Sequence, residues 1–257
     1  MSGREPPLDV WLVDLRRCAS ALHALELASP RLSDDENVRA QAKGDDGGNW
    51  RAQRIALRIL LERYVGPDVR RKAFVTGAKG KPQLAEPSDI QFSVSDCGPF
   101  ALLAIARGGA IGVDIERPRT LRLSDPRRAG LVIAAAGVAQ SGNWPNGVRG
   151  NADDDATVLQ AWVRLEAWAK ARSTGIGALL SDLGIWGSAR ANTTGISPGA
   201  RAMEILRQED MEITDLALPH RLQGALACAL THGPIDVRDF PAEMEALTAL
   251  GKSVSSK

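Results

Sequence analysis

Four short stretches of this 257-residue chain combine residue types and spacings that can do chemistry. In "IGVDIERPR", Asp114 and Glu116 alternate with Ile111, Val113 and Ile115. A strand alternates its faces, so both carboxylates project from one side together with Gly112. Two carboxylates side by side repel unless water with loose counter-ions, an arginine or a metal sits between them. Magnesium suits such a pair, because it takes a few carboxylates, keeps waters and completes its shell with substrate phosphates. Spacing alone favours a simpler reading, in which Glu116 meets Arg117 or Arg119 and Asp114 starts a turn.

In "WVRLEAWAK", Glu166 and Lys170 stand four residues apart. On a helix surface that is a favourable pair worth about 0.3 kcal/mol. They flank an apolar stripe of Val158, Ala161, Leu165, Trp168 and Ala169, on the side shared with Trp162, from which a glutamate can reach into a cleft. In "GAKGKPQL", glycines around Lys79 and Lys81 allow backbone to approach an anion, and lysine is a point charge for phosphate. A solvated hairpin turn fits that stretch equally well. Arg51, Arg54 and Arg58 lie on the polar face of a helix. They can clamp phosphates, although composition favours a solvated face with Arg58 paired to Glu62.

The elements that must position these residues follow from periodicity. "DVWLVDL" alternates like a strand. "LSDDENVRAQAK" places Ser33 three residues before Glu36, a capping-box pattern. "NWRAQRIALRILLERYVG" carries Ala52, Ile55, Ala56, Ile59, Leu60 and Arg63 at helical spacing and ends at Gly66-Pro67. "AFVTGAKGKPQL" reads as a strand entering a turn, and "DIQFSVSDCG" with "FALLAIARGGAIGVDIE" as two or three strands. The first half is therefore one long helix against a small antiparallel sheet.

After Arg119 the pattern restarts. "DPRRAGLVIAAAGVAQ" reads as a helix and residues 141–155 as an exposed loop. Asp155 is placed to cap the helix "ATVLQAWVRLEAWAKARSTG", which stops near Gly175. "MEILRQEDMEITDLAL" and "LQGALACALTH" read as returning strands, and residues 251–257 as a disordered tail. The fold class expected is α+β, with subdomains 1–117 and 118–250 that share a coarse plan without a residue-level repeat.

Composition is that of a globular protein, 44% apolar and 25% charged. A net charge of +1 supplies no overall field toward nucleic acid or membrane, so phosphate binding must come from local clusters. Cys18, Cys97 and Cys228 are far apart and odd in number, which suggests neither a disulfide framework nor a zinc site. The first residues lack the pattern of a signal peptide, and the weakly polar run from Ala129 to Ala139 is too short to span a bilayer. A cytoplasmic location is expected.

Taken in order, "GKPQL", "FSVSDCG", "IGVDIE" and "WVRLEAWAK" resemble the motifs of the 4′-phosphopantetheinyl transferases, in particular the long, surfactin-type class. The resemblance spans about Leu8 to Leu230. It implies a pseudo-dimer of two similar helix-plus-antiparallel-sheet halves with the site in the cleft between them. It implies transfer of the phosphopantetheine arm of coenzyme A to a serine of an acyl or peptidyl carrier protein, as in fatty acid, polyketide or nonribosomal peptide biosynthesis. It also implies a monomer. By that resemblance Asp114, Glu116 and Glu166 are ligands of Mg²⁺, with Mn²⁺ an alternative. Glu166 and Lys170 are catalytic, and Lys170 also holds the pyrophosphate. Lys81 meets the 3′-phosphate end of coenzyme A, Arg51 or Arg54 the nucleotide phosphates, and Ser95 and Asp96 complete the coenzyme A contacts.

Two positions depart from the family pattern. Asp96 stands where a histidine meets a coenzyme A phosphate, and Leu165 stands where a lysine precedes the catalytic glutamate. Both remove positive charge where phosphates should lie. The alternative they raise is a relative that binds a carrier protein or nucleotide without transfer. A metal-dependent phosphohydrolase using the same acids is a further reading. It is poorly supported, because His23, His220 and His232 sit in no motif.

Overall fold

The computed structural model describes residues 8–77, 80–138, 151–186, 195–229 and 235–250. It is an α+β protein whose chain divides into two compact units, residues 1–92, 96–108 and 238–257 in one and residues 93–95 and 109–237 in the other. The division falls between Gly108 and Gly109, whereas the sequence places a boundary after Arg117. Lys79, most of the 141–155 loop and the 251–257 tail lie outside the described residues.

In the first unit, β1 (Leu8–Asp14) leads directly into α1 (Leu15–Ala28), whose start is capped by the Asp14 carboxylate. α1 is additional to the elements expected from periodicity, and Leu15, Cys18, Leu22 and Leu25 form its buried stripe. The expected capping box forms at the start of α2 (Asp34–Ala42): Ser33 and Glu36 bond each other's backbone amides. The long helix α3 (Gly47–Val65) stops at Gly66, whose φ of 78° needs a residue without a Cβ. A short hairpin, β2 (Val75–Thr76) and β3 (Pro82–Gln83), precedes β4 (Ile90–Cys97) and β5 (Phe100–Arg107).

The expected solvated face of α3 is not there. Every residue from Ala52 to Glu62 is buried, with Arg58 fully enclosed. Arg58 does not pair with Glu62. Its Nε donates to Glu36 at 2.8 Å, and its other nitrogens donate to the carbonyls of Val69 and Lys72. Glu62 is held instead by Arg31 at 2.8 Å and Arg70 at 2.7 Å. Buried charges survive only when paired and hydrogen-bonded. The helix therefore takes its partners from distant chain rather than from its own next turn.

In the second unit, β6 (Ile111–Glu116) is followed by α4 (Asp125–Val138) and α5 (Asp155–Ala171). The cap of α5 is Asp154, one residue before the expected Asp155, and accepts from Ala156 and Thr157. Asp155 is instead paired with Arg128 at 2.8 Å. Then come α6 (Ile176–Asp182), α7 (Pro198–Gln208), β7 (Glu212–Leu216) and β8 (Gln223–Cys228). The segment from Met203 to Gln208, expected as strand, is helical. Ser197 caps α7 and Pro198 sits in its first turn, a start signal that outranks the short apolar run behind it. Only Glu212–Leu216 of that stretch is a strand. The sheet runs β6-β8-β7, all antiparallel, with Asp114 opposite Ala225.

The chain then returns to the first unit through β9 (Val237–Asp239) and α8 (Met244–Leu250). The first sheet is completed in the order β4-β5-β1-β9. The core of the second unit is built on α4 and α5, and it contains all five residues of the expected apolar stripe, with Trp168 fully buried.

Candidate active site

The site grows from the approach of one helix to one strand. Along β6, Ile111, Val113 and Ile115 are buried, and Gly112 lies under α5. A Cβ on Gly112 would fall 2.0 Å from the carbonyl oxygen of Ala167 and 2.4 Å from the amide nitrogen of Ala171. The glycine therefore lets α5 lie directly on the strand. Two residues on, Asp114 occupies the same strand face, and Lys170 reaches it from α5.

Asp114 is 3% exposed. Its Oδ1 accepts from Lys170 Nζ at 2.7 Å and from Ser95 Oγ at 2.7 Å. Lys170 also donates to Ser95 Oγ at 2.9 Å, so the three side chains close a triangle. Ser93 Oγ, two residues before Ser95, accepts from the Val113 amide at 3.1 Å and fixes the register of that stretch beside β6. Asp114 does not start a turn; it sits in the middle of a paired strand.

Burial pushes the Asp114 carboxyl above its usual range, against the Lys170 charge and the bonds from Lys170 and Ser95. Burial also raises Glu166, with the Asp114 charge adding to the rise and Lys170 opposing it. Glu166 is thus within electrostatic reach of both. Glu116 takes the simpler option offered by its sequence: Arg119 grips it through two bonds, at 3.0 and 2.5 Å.

These groups suit a divalent ion in chemistry, since all are oxygen donors. Asp114 Oδ2 is a buried acceptor with no hydrogen-bond partner among the described residues. The donor set is not preassembled, however. Among the described residues no three His, Cys, Asp or Glu side chains are grouped as a cation cluster, and Glu116 is turned to Arg119.

Of the expected site residues, Ser95, Asp114, Glu116, Glu166 and Lys170 lie in the second unit, where Ser95, Asp114 and Lys170 are in direct contact. Arg51, Arg54, Lys81 and Asp96 lie in the first unit. There, Arg54 is buried and its Nε donates to Glu36 at 3.0 Å. Its guanidinium lies 5.4 Å from the Trp50 ring and 5.0 Å from the Phe74 ring. Arg51 is half-buried. Lys81 closes the β2–β3 hairpin, where its carbonyl accepts from the Gly77 amide at 2.8 Å, and burial pushes its ammonium down to about 8. Asp96 is exposed, and Gln53 Nε2 donates to it at 3.0 Å. Leu165 is fully buried in the core of the second unit.

Sequence reading missed Gly112 as a packing determinant and Gln53 as the partner of Asp96. The glycine between Ile111 and Val113 inside a strand was the available signal for the first. A glutamine inside an apolar helical run gives no comparable signal for the second.

A putative 4′-phosphopantetheinyl transferase of Synechocystis sp. is 28% identical to this chain over 125 residues, 46% of the chain and 50% of that protein. The chain thus spans about half the length of the curated relative it matches. No protein-family model matches the chain. No helix among the described residues is long and apolar enough to cross a membrane.

Proposed function

We propose that this protein transfers the 4′-phosphopantetheine arm of coenzyme A to a serine of an acyl or peptidyl carrier protein. The observation that carries the reading is the Ser95–Asp114–Lys170 triangle, which draws three separate motifs into contacts of 2.7 to 2.9 Å. Similarity to a putative transferase of the same kind supports it. The finer reading is a surfactin-type enzyme, monomeric and cytoplasmic, built as a pseudo-dimer with its site in the cleft between the halves.

In this reading Asp114, Glu116 and Glu166 hold Mg²⁺ or Mn²⁺. Such an ion would supply positive charge against the pyrophosphate of coenzyme A. Lys170 orients the same pyrophosphate and stabilises the charge that grows on the leaving phosphate, adenosine 3′,5′-bisphosphate. The carrier serine oxygen forms a bond to the β-phosphorus as the bond to the bridging oxygen breaks. Glu166 accepts the serine proton. Lys81, with Arg51 or Arg54, meets the nucleotide phosphates, and Ser95 holds Lys170 in place.

The test is incubation with coenzyme A, Mg²⁺ and several apo carrier proteins, followed by mass spectrometry. A carrier heavier by one phosphopantetheine arm is the expected result. No transfer to any carrier, with a working control enzyme, refutes the reading.

One observation favours the second reading, a relative that binds without transferring. The partner of Asp96 is the uncharged Gln53 amide, which leaves the carboxylate's repulsion of phosphate in place. Asp96→His then raises coenzyme A affinity in calorimetry, whereas an unchanged affinity removes the objection.

A further inference from the structure

We infer that Arg119 is a built-in counter-ion for the acids of β6, one that an incoming divalent cation must displace. The inference rests on the reading that Asp114, Glu116 and Glu166 hold such an ion. Asp114 and Glu116 each have a cation bonded to them, Lys170 and Arg119 respectively. Among the described residues these two cations differ in how firmly they are held.

Lys170 is anchored. Its ammonium bonds both Asp114 and Ser95, and its side chain is 27% exposed. Arg119 is the looser one. It returns across Pro118 to grip both oxygens of Glu116, yet its side chain is 46% exposed. Its guanidinium is held above its ordinary range mainly by the Glu116 bonds, with the charges of Asp114 and Glu166 acting in the same direction. An exposed ion pair of this kind is weak, so the arginine can swing into water at small cost. Meanwhile Asp114 Oδ2, buried and without a hydrogen-bond partner among the described residues, is an open ligand atom on the same strand face.

Removing Arg119 takes one positive charge from beside the acids and frees both oxygens of Glu116. A cation binding to the acids then no longer has to break the arginine fork or sit beside its charge. Arg119 thus sets the divalent affinity of the site without being a ligand.

Binding of Mn²⁺ alone, followed by loss of the free-ion electron paramagnetic resonance signal at fixed pH and ionic strength, tests this. Wild type, Arg119→Gln and Arg119→Lys are compared. The expected result is a dissociation constant lower by on the order of fivefold for R119Q, with R119K close to wild type. If wild type binds Mn²⁺ and R119Q binds it no more tightly, the counter-ion role is overturned while the metal reading stands. If R119K tightens as much as R119Q, charge is not the cause and the inference fails. If none of the three binds Mn²⁺, both the inference and the metal part of the proposed function fall. Phosphopantetheine transfer, assayed separately, decides the rest of that proposal.

Discussion

Replacing Gly112 by alanine tests the packing on which the candidate site depends. The new Cβ would lie 2.0 Å from the Ala167 carbonyl oxygen and 2.4 Å from the Ala171 nitrogen, where ordinary contact begins at 3.4 Å. All the atoms it meets are backbone of α5, so no rotamer change relieves the clash. The helix must retreat by roughly 1.4 Å or the strand must bend. Overpacking of a core costs about 1–3 kcal/mol, and a backbone clash belongs at the upper end of that range. Lys170 rides on the displaced turn, so its 2.7 Å bond to Asp114 stretches toward the limit of a hydrogen bond. The assay is urea unfolding followed by tryptophan fluorescence, since Trp168 is buried in α5. With a urea slope of about 2–3 kcal/mol/M, the midpoint should fall by about 1 M. Gly48→Ala is the control. Gly48 is exposed near the start of α3 with nothing within 4 Å of its would-be Cβ, so alanine there should be neutral or stabilise by up to about 1 kcal/mol. A G112A midpoint equal to that of wild type would refute the argument that close helix–strand approach holds Lys170 on Asp114.

Three further outcomes are expected. Leu165→Lys should destabilise the second unit by about 3 kcal/mol or more, because it drives an ammonium into a fully buried position; an unchanged urea midpoint would show that the position can open to solvent. Glu36→Gln should cost about 3–5 kcal/mol, because it leaves the buried guanidiniums of Arg54 and Arg58 without their carboxylate; a midpoint within error of wild type would contradict this. Lys81 binds its proton less tightly folded, at about 8, than its ordinary 10.5. The unfolded chain therefore holds more protons between those values, so the stability this group contributes rises with pH across that window and is lost as pH falls through about 8. Unfolding midpoints at about pH 7 and pH 10 should differ less in Lys81→Met than in wild type, and an equal pH response in both would show that Lys81 does not carry the effect.

Much of the local structure is legible in short stretches of residues. Local signals were sufficient for the Ser33–Glu36 capping box, the alternation of β6 and the apolar stripe of α5, because each is written within a few residues at a period of two or 3.6. The α+β class follows from the same signals. Local signals also have limits inside the helices: α7 was read as strand because a short apolar run has no unique period, and its Ser197-Pro198 start carried the decisive information. Partner choice was decided only by the tertiary structure. Arg58 has Glu62 one turn away and binds Glu36 instead, and Lys170 bonds Asp114 and Ser95, each more than fifty residues away in sequence. A neighbour on the same helix is always available, but a surface pair of that kind gains only a few tenths of a kcal/mol. A buried carboxylate such as Asp114 must find a charge wherever the fold brings one, and the demand is stronger because no water is there to meet it. The fold brings Lys170 to Asp114 because Gly112 has no side chain to keep the helix away.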